Sequence, residues 1–315
     1  MGDLVVGANL PWLDYAQDFG ANAWQPRGGL ARPERRERLR RALADIAESG
    51  ASLVRWWLLG DGRSGLREDD EGRLVGLDDR VFPDLDAAIE ALRESGLRAE
   101  LVLADFQWLD VLRTVDGVRV GGRREDVRDP GRRARLLEHV FAPIAERYGH
   151  EPAIAGWDLM NEPEWATLAV GTLDARRSVS RREMRSYLAD VAAVFRGRAT
   201  QPLSVGLASA RWLSLVEGLD LDEAQVHWYE TLDPLTTLAR PVASLGLGRP
   251  VALGEFPTRG ASLSASEILQ VAREAGYSAA LAWSALAEDS ATDPRACRAA
   301  LCQWFGRPRP DVRQA

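Results

Sequence analysis

The stretch "AIEALRESGLRAELVLADF" (residues 88–106) contains a complete helix-to-strand unit. Its first half has the apolar spacing of an amphipathic helix. Gly96 then stands where the residue after a helix adopts the left-handed conformation, and the apolar run that follows is typical of a buried parallel strand. The same plan recurs as "LADIAESGASLVRWWLL" (43–59) and "ILQVAREAGYSAALAWSAL" (268–286), with a looser copy at 141–159. A repeated helix–glycine–strand unit indicates an α/β protein.

The whole chain continues this alternation. Apolar runs predict eight strands, at residues 4–8, 52–58, 98–104, 153–159, 202–207, 223–228, 249–254 and 278–283. Helical periodicity lies between them, at about residues 34–49, 83–95, 131–148, 181–196, 211–217, 233–245, 264–275 and 293–305. This order predicts a (β/α)8 TIM barrel and a single domain over residues 1–315. A doubly wound open sheet is the alternative, but no glycine-rich phosphate turn follows the first strand.

Composition narrows the class of partner. The 315 residues are 46% apolar and 28% charged, as in ordinary globular proteins, which argues against disorder. No run reaches 18 apolar residues, so we expect no membrane span. A net charge of -7 argues against nucleic acid. The start "MGDLVVGANL" lacks the pattern of a signal peptide, which predicts a cytoplasmic protein unless a signal was removed. The sequence does not indicate an oligomeric state.

The segments that follow strands are much longer than those that precede them. Strand-to-helix segments at 59–82, 105–130 and 160–180 contrast with helix-to-strand links such as "SGAS" and "SGLR". In (β/α)8 barrels the loops after the strands carry the functional residues. We therefore expect the site at the carboxyl ends of the strands.

Polar and aromatic residues recur at that end. They are Asn9, Arg55, Asp105, Asn161, Glu162, His227, Tyr229, Glu255 and Trp283. Glu162 ends strand 4 and Glu255 ends strand 7, three strands apart, so the two carboxylates should face each other across the mouth. Two such carboxylates can cleave a glycosidic bond: at about 5 Å they retain the anomeric configuration, and at about 6.5–9.5 Å they invert it.

Neighbouring residues supply the remaining roles. Arg55 would favour ionised Glu255, while partial burial and the opposing negative charge would keep Glu162 protonated. Tyr229 would donate to the nucleophile, and Asn161 would hold the 2-hydroxyl of the sugar.

Tryptophans suggest flat apolar ligand faces. Trp283 would provide a stacking floor, Trp165 would reach a leaving-group subsite, and Trp108, which follows strand 3, would also contact the substrate. Taken singly, each of these residues has a structural explanation, such as a turn carboxylate or a packing tryptophan. Their joint occurrence at the ends of several strands favours a carbohydrate site.

With these residues the chain resembles the retaining glycoside hydrolases of clan A, and among them the cellulase- and mannanase-like family five. The matching stretches are "LVRWW" (53–57), "GWDLMNEP" (156–163), "VHWY" (226–229), "LGEF" (253–256) and "LAWS" (281–284). The resemblance implies Glu162 as acid/base and Glu255 as nucleophile, acting on a β-linked glucan- or mannan-type saccharide or glycoside without a cofactor. It departs at strand 3, where "LADFQW" (103–108) stands in place of a family histidine.

Two other functions remain open. A non-catalytic carbohydrate-binding barrel would be expected to have lost one carboxylate, and both are present. A metal-dependent hydrolase would need ligands, but the three histidines are His139, His150 and His227, and no His-x-His pair ends a strand. We expect no metal.

Overall fold

The eight apolar runs form a closed barrel of parallel strands in the computed structural model, which describes residues 3–308. The strands are β1 (Val5–Asn9), β2 (Leu53–Trp57), β3 (Arg98–Val102), β4 (Ile154–Asp158), β5 (Leu203–Ser204 and Gly206–Leu207), β6 (Ala224–His227), β7 (Val251–Pro257) and β8 (Ala279–Trp283). The eight strands predicted from the sequence are confirmed, and with them the barrel.

Strand β5 is divided at Val205. Its first part pairs with β4 and its second part with β6, so nine paired segments make up the eight-stranded ring. The pairing of β1 with β8 closes it, with Val5 opposite Ala279. A closed ring leaves no sheet edge unpaired, and it brings all eight carboxyl ends to one mouth.

Glycine ends the helices as the repeated unit predicts. Gly50, Gly96 and Gly276 have φ angles of 97°, 71° and 88°. This left-handed conformation costs glycine little because it has no Cβ. Each glycine turns the chain directly from a helix into the next strand, so the loops at the amino ends of these strands are short.

The helices are less regular than the strands. They are α1 (Pro33–Glu48), α2 (Val81–Ser95), α3 (Arg124–Arg128), α4 (Pro130–Leu136), α5 (Ala142–Tyr148), α6 (Arg181–Arg196), α7 (Leu235–Leu238), α8 (Ala265–Ala275) and α9 (Pro294–Trp304). A π-helical segment, Leu137–Phe141, joins α4 to α5. Among residues 3–308, no helix combines the length and hydropathy of a membrane span.

For two of the predicted helices, the type of helix is wrong. The helix expected at 211–217 is a short 3₁₀-helix, Ala210–Leu215, and the one expected at 233–245 is reduced to α7 and a second 3₁₀-helix, Val242–Leu245. Pro241 separates the last two, because proline has no N–H for a helical hydrogen bond.

The loop after β1 (residues 10–32) crosses the mouth and is fastened near its tip by Asp18. This carboxylate accepts hydrogen bonds from the N–H groups of Leu13 (2.7 Å) and Asp14 (2.9 Å) and from Trp56 Nε1 (3.0 Å). Asp18 is 2% exposed, and burial raises its pKa to about 6. The tip is therefore tied to the ring of strands through Trp56 in β2.

The base of the same loop is fastened by Asp84 in α2. Its carboxylate accepts hydrogen bonds from the backbone N–H groups of Gly20 (2.8 Å), Gly29 (2.9 Å) and Ala31 (2.6 Å). These groups lie in a loop that has little backbone pairing of its own, and buried N–H groups need a partner. A single side chain thus satisfies three of them.

We expect Asp84→Ala to lower the free energy of unfolding by about 3 kcal/mol, because it leaves three backbone donors without a partner, two of them buried. The matched control is Asp79→Ala in the turn before α2, where the side chain is 91% exposed, and the expected change is within about 0.5 kcal/mol. Urea unfolding followed by tryptophan fluorescence measures both. Equal midpoints for the two variants would contradict this account of the loop.

Candidate active site

A cleft of about 620 Å³ opens at the carboxyl end of the barrel. Sites for small ligands typically measure about 300–1,000 Å³. Seven of the residues predicted from the sequence line it: Asp105, Asn161, Glu162, Trp165, Tyr229, Glu255 and Trp283. The expectation that the long loops converge on the functional face is thus matched by the position of the cleft.

Arg55 lies beneath the cleft and is fully buried. Nη1 donates to Glu255 Oε1 at 2.7 Å, and Nη2 donates to Asp158 Oδ2 at 2.6 Å and Asn161 Oδ1 at 2.7 Å. Nη1 is also 3.1 Å from Asn9 Oδ1. The guanidinium therefore fixes side chains from β1, β4 and β7, and Asn161 from the segment that follows β4, through one set of hydrogen bonds.

Charge balance explains why a buried arginine is stable here. Burial opposes its charge, but the carboxylates of Asp158 and Glu255 raise the pKa of Arg55 above its usual range. Its Cζ also lies 4.3 Å from the centre of the Trp57 ring, a cation–π contact. Arg55 is a permanent positive charge directly behind Glu255.

Glu255 has a donor on each oxygen. Arg55 donates to Oε1, and the Tyr229 hydroxyl donates to Oε2 at 2.7 Å. Burial raises the pKa of Glu255, and these two donors act in the opposite direction by stabilising the carboxylate. His227 adds no charge at neutral pH, because burial lowers its pKa to about 4.

Glu162 has a different environment. Its Oε1 is 2.8 Å from His227 Nδ1, and Trp165 Nε1 donates to Oε2 at 3.0 Å. Burial raises the pKa of Glu162 to about 7, although Arg55 acts in the opposite direction. The two carboxyl groups thus differ in what holds them: Glu255 is bound to a cation, whereas Glu162 is bound to neutral groups.

The backbone at Glu162 is strained. Its φ and ψ are 47° and 49°, in the left-handed region that non-glycine residues rarely adopt and that costs about 1–3 kcal/mol. The Glu162 N–H donates to the carbonyl of Gly206 in β5 at 2.7 Å, which holds this conformation. The strain turns the side chain into the mouth immediately before Pro163 ends the extended segment.

The separation of the carboxylates determines their chemistry. A carboxylate oxygen of Glu162, one of Glu255 and a ring nitrogen of His227 all lie within 4.8 Å of one another. No room remains for a water molecule between the carboxylates and a sugar, as inversion requires. The spacing is that of a nucleophile and an acid/base that act with retention.

The same three side chains have the donor atoms of a metal site. Arg55, however, donates to Glu255 at 2.7 Å, so a divalent cation would lie next to a fixed positive charge. The hydrogen bonds to Tyr229 and Trp165 also occupy the outer carboxylate oxygens. The arrangement is better suited to proton transfer than to metal binding.

Asn161 and Asp105 form one wall beside these carboxylates. Asn161 Nδ2 donates to Asp105 Oδ2 at 2.8 Å, and Trp57 Nε1 donates to the same oxygen at 3.3 Å. Burial raises the pKa of Asp105 to about 7. These contacts fix Asn161 between Arg55 and Asp105. The amide nitrogen of Asn161 has two N–H groups, and one of them donates to Asp105.

The other predicted residues lie elsewhere. Asn9, Arg55 and His227 are buried behind the cleft and act through other side chains. The interpretation of Trp108 as a cleft residue is wrong: it is fully buried and stacks on Phe141 with ring centres 6.2 Å apart. Trp108 belongs to the 3₁₀-helix Phe106–Leu109, which turns its ring toward the core.

Sequence reasoning assigned no role in the site to four residues that the structure places there. Asp158 binds Arg55, and Trp57, Tyr15 and Gln107 line the cleft. One signal was available, because a charged residue inside the apolar run at 153–160 needs a buried partner. No comparable signal separates Tyr15 and Gln107 from other loop residues.

Comparisons with known proteins agree with this geometry. No protein-family model matches the chain. It is 29% identical over 158 residues to a mannan endo-1,4-β-mannosidase of Mytilus edulis, a match that spans 50% of this chain and 39% of the mussel protein. This chain therefore matches less than half the length of that relative.

Solved structures cover nearly the whole chain. The endo-1,4-β-mannanase of Eisenia fetida has a TM-score of 0.80 at 20% identity, over 96% of this chain and 91% of that one. The fold is that of the β-mannanases. A GH5_18 protein of Streptomyces cattleya in complex with Manβ1-4GlcNAc has the same barrel, with a TM-score of 0.66 at 16% identity over 99% of this chain and 83% of that one. The resemblance to a mannanase-like glycoside hydrolase barrel, predicted from the sequence, is confirmed in fold and in sequence similarity.

We expect Gly206→Ala to reduce kcat/KM by about 100-fold through misplacement of the ion pair. An added Cβ would lie 2.7 Å from Arg55 Nη2, 2.8 Å from Asp158 Oδ2 and 2.9 Å from His227 Nε2. The matched control is Gly197→Ala, where φ is -76° and the nearest atom is 3.6 Å away. Steady-state kinetics on an aryl β-glycoside distinguish the two. Full activity of the Gly206 variant would contradict the proposed packing around Arg55.

Proposed function

We propose that this protein is a retaining glycoside hydrolase that cleaves β-mannosidic bonds of mannan-type saccharides or glycosides, with residues 1–315 acting as one catalytic domain. The observation that carries the proposal is the pair Glu162 and Glu255, with carboxylate oxygens within 4.8 Å and unlike neighbours. The choice of mannose over glucose rests on the relatives and structural neighbours, which are named as mannan-cleaving enzymes.

In the first step Glu255 is the nucleophile. One of its oxygens attacks the anomeric carbon, while the protonated carboxyl of Glu162 donates its proton to the leaving-group oxygen. The bond between the anomeric carbon and that oxygen breaks, and a covalent glycosyl ester forms on Glu255. Arg55 and Tyr229 hold the attacking carboxylate ionised and oriented.

In the second step Glu162 acts as a base. It removes a proton from a water molecule that attacks the same carbon from the side the leaving group has vacated, and the ester bond to Glu255 breaks. Two inversions give net retention. A pKa of about 7 suits Glu162 to both directions of transfer.

Other cleft residues would bind the sugar. Asn161 has an amide N–H beyond the one given to Asp105, which we assign to the 2-hydroxyl, a contact that strengthens in the transition state. Trp283 would stack on the sugar ring. Its indole N–H donates to Asp289 at 2.9 Å, which fixes the plane of the ring.

The pH profile tests the role of Glu162. Because its pKa is raised to about 7, the protonated form that donates to the leaving group dominates below that pH and is lost above it. We expect kcat/KM of the wild type to fall as pH rises through about 7. With an activated aryl β-mannoside, which needs no proton, Glu162→Gln should lack this alkaline limb, and with mannobiose it should be about 10²–10⁴-fold slower. An unchanged alkaline limb in the variant would sink this assignment.

Azide rescue separates the two carboxylates. In Glu255→Ala, hydrolysis of an aryl β-mannoside should be lost, and azide in the vacated position should restore turnover with an α-mannosyl azide as product. In Glu162→Ala, azide should instead attack the glycosyl ester and give the β-azide. Nuclear magnetic resonance of the products identifies each. A fully active Glu255→Ala protein would refute the mechanism, and sugar binding without turnover in the wild type would favour a non-catalytic barrel.

A further inference from the structure

One half of the barrel rim is closed by contacts between loops. The Trp283 ring at the end of β8 meets Trp12 edge-on, with ring centres 6.4 Å apart, and Trp12 meets Tyr15 in the same way at 4.4 Å. The Tyr15 hydroxyl then donates to Gln107 Oε1 at 2.6 Å, in the loop after β3. We call these four side chains the glycone wall. It runs from β8 past β1 and β2 to β3.

The glycone wall is a fixed structure. Asp18 holds the two residues between Trp12 and Tyr15, because its carboxylate accepts hydrogen bonds from the N–H groups of Leu13 and Asp14. The same carboxylate is bound to Trp56 in the barrel. Arg63 lies over the Tyr15 ring, with Cζ 4.5 Å from its centre, and donates to Asp61 at 2.9 Å. A ring held by a hydrogen bond on one edge and by a cation on one face cannot swing aside without losing both.

The opposite half of the rim has a different form. Trp165, which donates to Glu162, makes an edge-to-face pair with Trp212 at 5.0 Å, in the loop after β5. Ala208 contributes only a methyl group to the cleft there. Because Glu162 gives its proton to the leaving group in the proposed mechanism, this aromatic pair is on the leaving-group side, and the wall in the other half of the rim is on the glycone side.

We propose that the glycone wall ends the cleft after one sugar, so that the enzyme removes single residues from the non-reducing end. This inference rests on the proposed hydrolase function and goes beyond it, because the relatives are named as endo-acting enzymes. A substrate with a second sugar on the glycone side would have to displace the Tyr15–Gln107 hydrogen bond or the Trp12 ring. On the leaving-group side, the saccharide chain would run over the paired rings of Trp165 and Trp212.

The direct test uses β-1,4-mannotetraose with a fluorescent label on its reducing end. The wild type should give labelled mannotriose and free mannose as its first products. Labelled mannobiose or labelled mannose among the earliest products would mean cleavage at an internal bond or at the reducing end, and would overturn the proposal. Absence of any hydrolysis would refute the proposed function instead, and the wall would then be judged by binding alone.

Variants show whether the wall itself is the cause. In Tyr15→Ala/Gln107→Ala the ratio of labelled mannobiose to labelled mannotriose should rise by about tenfold, equivalent to about 1.4 kcal/mol. Tyr15→Phe keeps the ring but loses the hydrogen bond to Gln107, so the ratio should rise less than in the double variant. The matched control is Trp24→Ala, an aromatic residue of the same loop that is 37% exposed and does not line the cleft. A double variant with the wild-type product ratio would overturn the role of the wall.

Binding tests the same geometry without turnover. Calorimetry on Glu162→Gln would compare mannobiose with two derivatives, one methylated at the 4-hydroxyl of the non-reducing end and one carrying a methyl aglycone. A wall predicts at least about tenfold weaker binding for the first derivative and no loss for the second. Equal affinity for both derivatives, or no binding of any of the three, would contradict it.

Discussion

The buried guanidinium of Arg55 is the constraint on which the site depends. A cation with no exposed surface must have anions at hydrogen-bond distance, and Asp158 and Glu255 provide them from β4 and β7. Removing one partner from such a group costs about 3–5 kcal/mol, because the remaining charges stay buried and unpaired. One set of contacts therefore both compensates the buried cation and stabilises the carboxylate form of Glu255. Gly206 has no side chain because that space belongs to this cluster.

Given that fixed charge, the division of labour between the two carboxylates follows from position. Glu255 accepts hydrogen bonds from the cation and from Tyr229, whereas Glu162, at a left-handed backbone position, contacts His227 and Trp165. Neutral donors stabilise a carboxylate less than a cation does. The unlike hydrogen-bond partners of the two carboxyl groups therefore favour different protonation states.

The sequence predicted the barrel well because its signals are local and repeated. Each strand is an apolar run of the right length, and Gly50, Gly96 and Gly276 mark the helix ends. Both carboxylates also could be found, since each follows a buried run. Asp158 was passed over because it sits inside such a run, and its partner is 103 residues away in the chain. Trp108 was misplaced because a single 3₁₀ turn decides whether its ring faces the cleft or Phe141, and neither periodicity nor composition reports that turn. The glycone wall depends on contacts between loops that share no pattern.

The fastening of the first loop has a consequence for how such a barrel can change over time. Asp18 and Asp84 hold this loop through the backbone N–H groups of Leu13, Asp14, Gly20, Gly29 and Ala31, so the fastening does not depend on the side chains of Trp12 and Tyr15. Trp12 and Tyr15 can then be exchanged while the loop keeps its course. Under the proposed release of single sugars, the preference for chain length would be a property of two or three loop side chains and would be separate from the stability of the barrel.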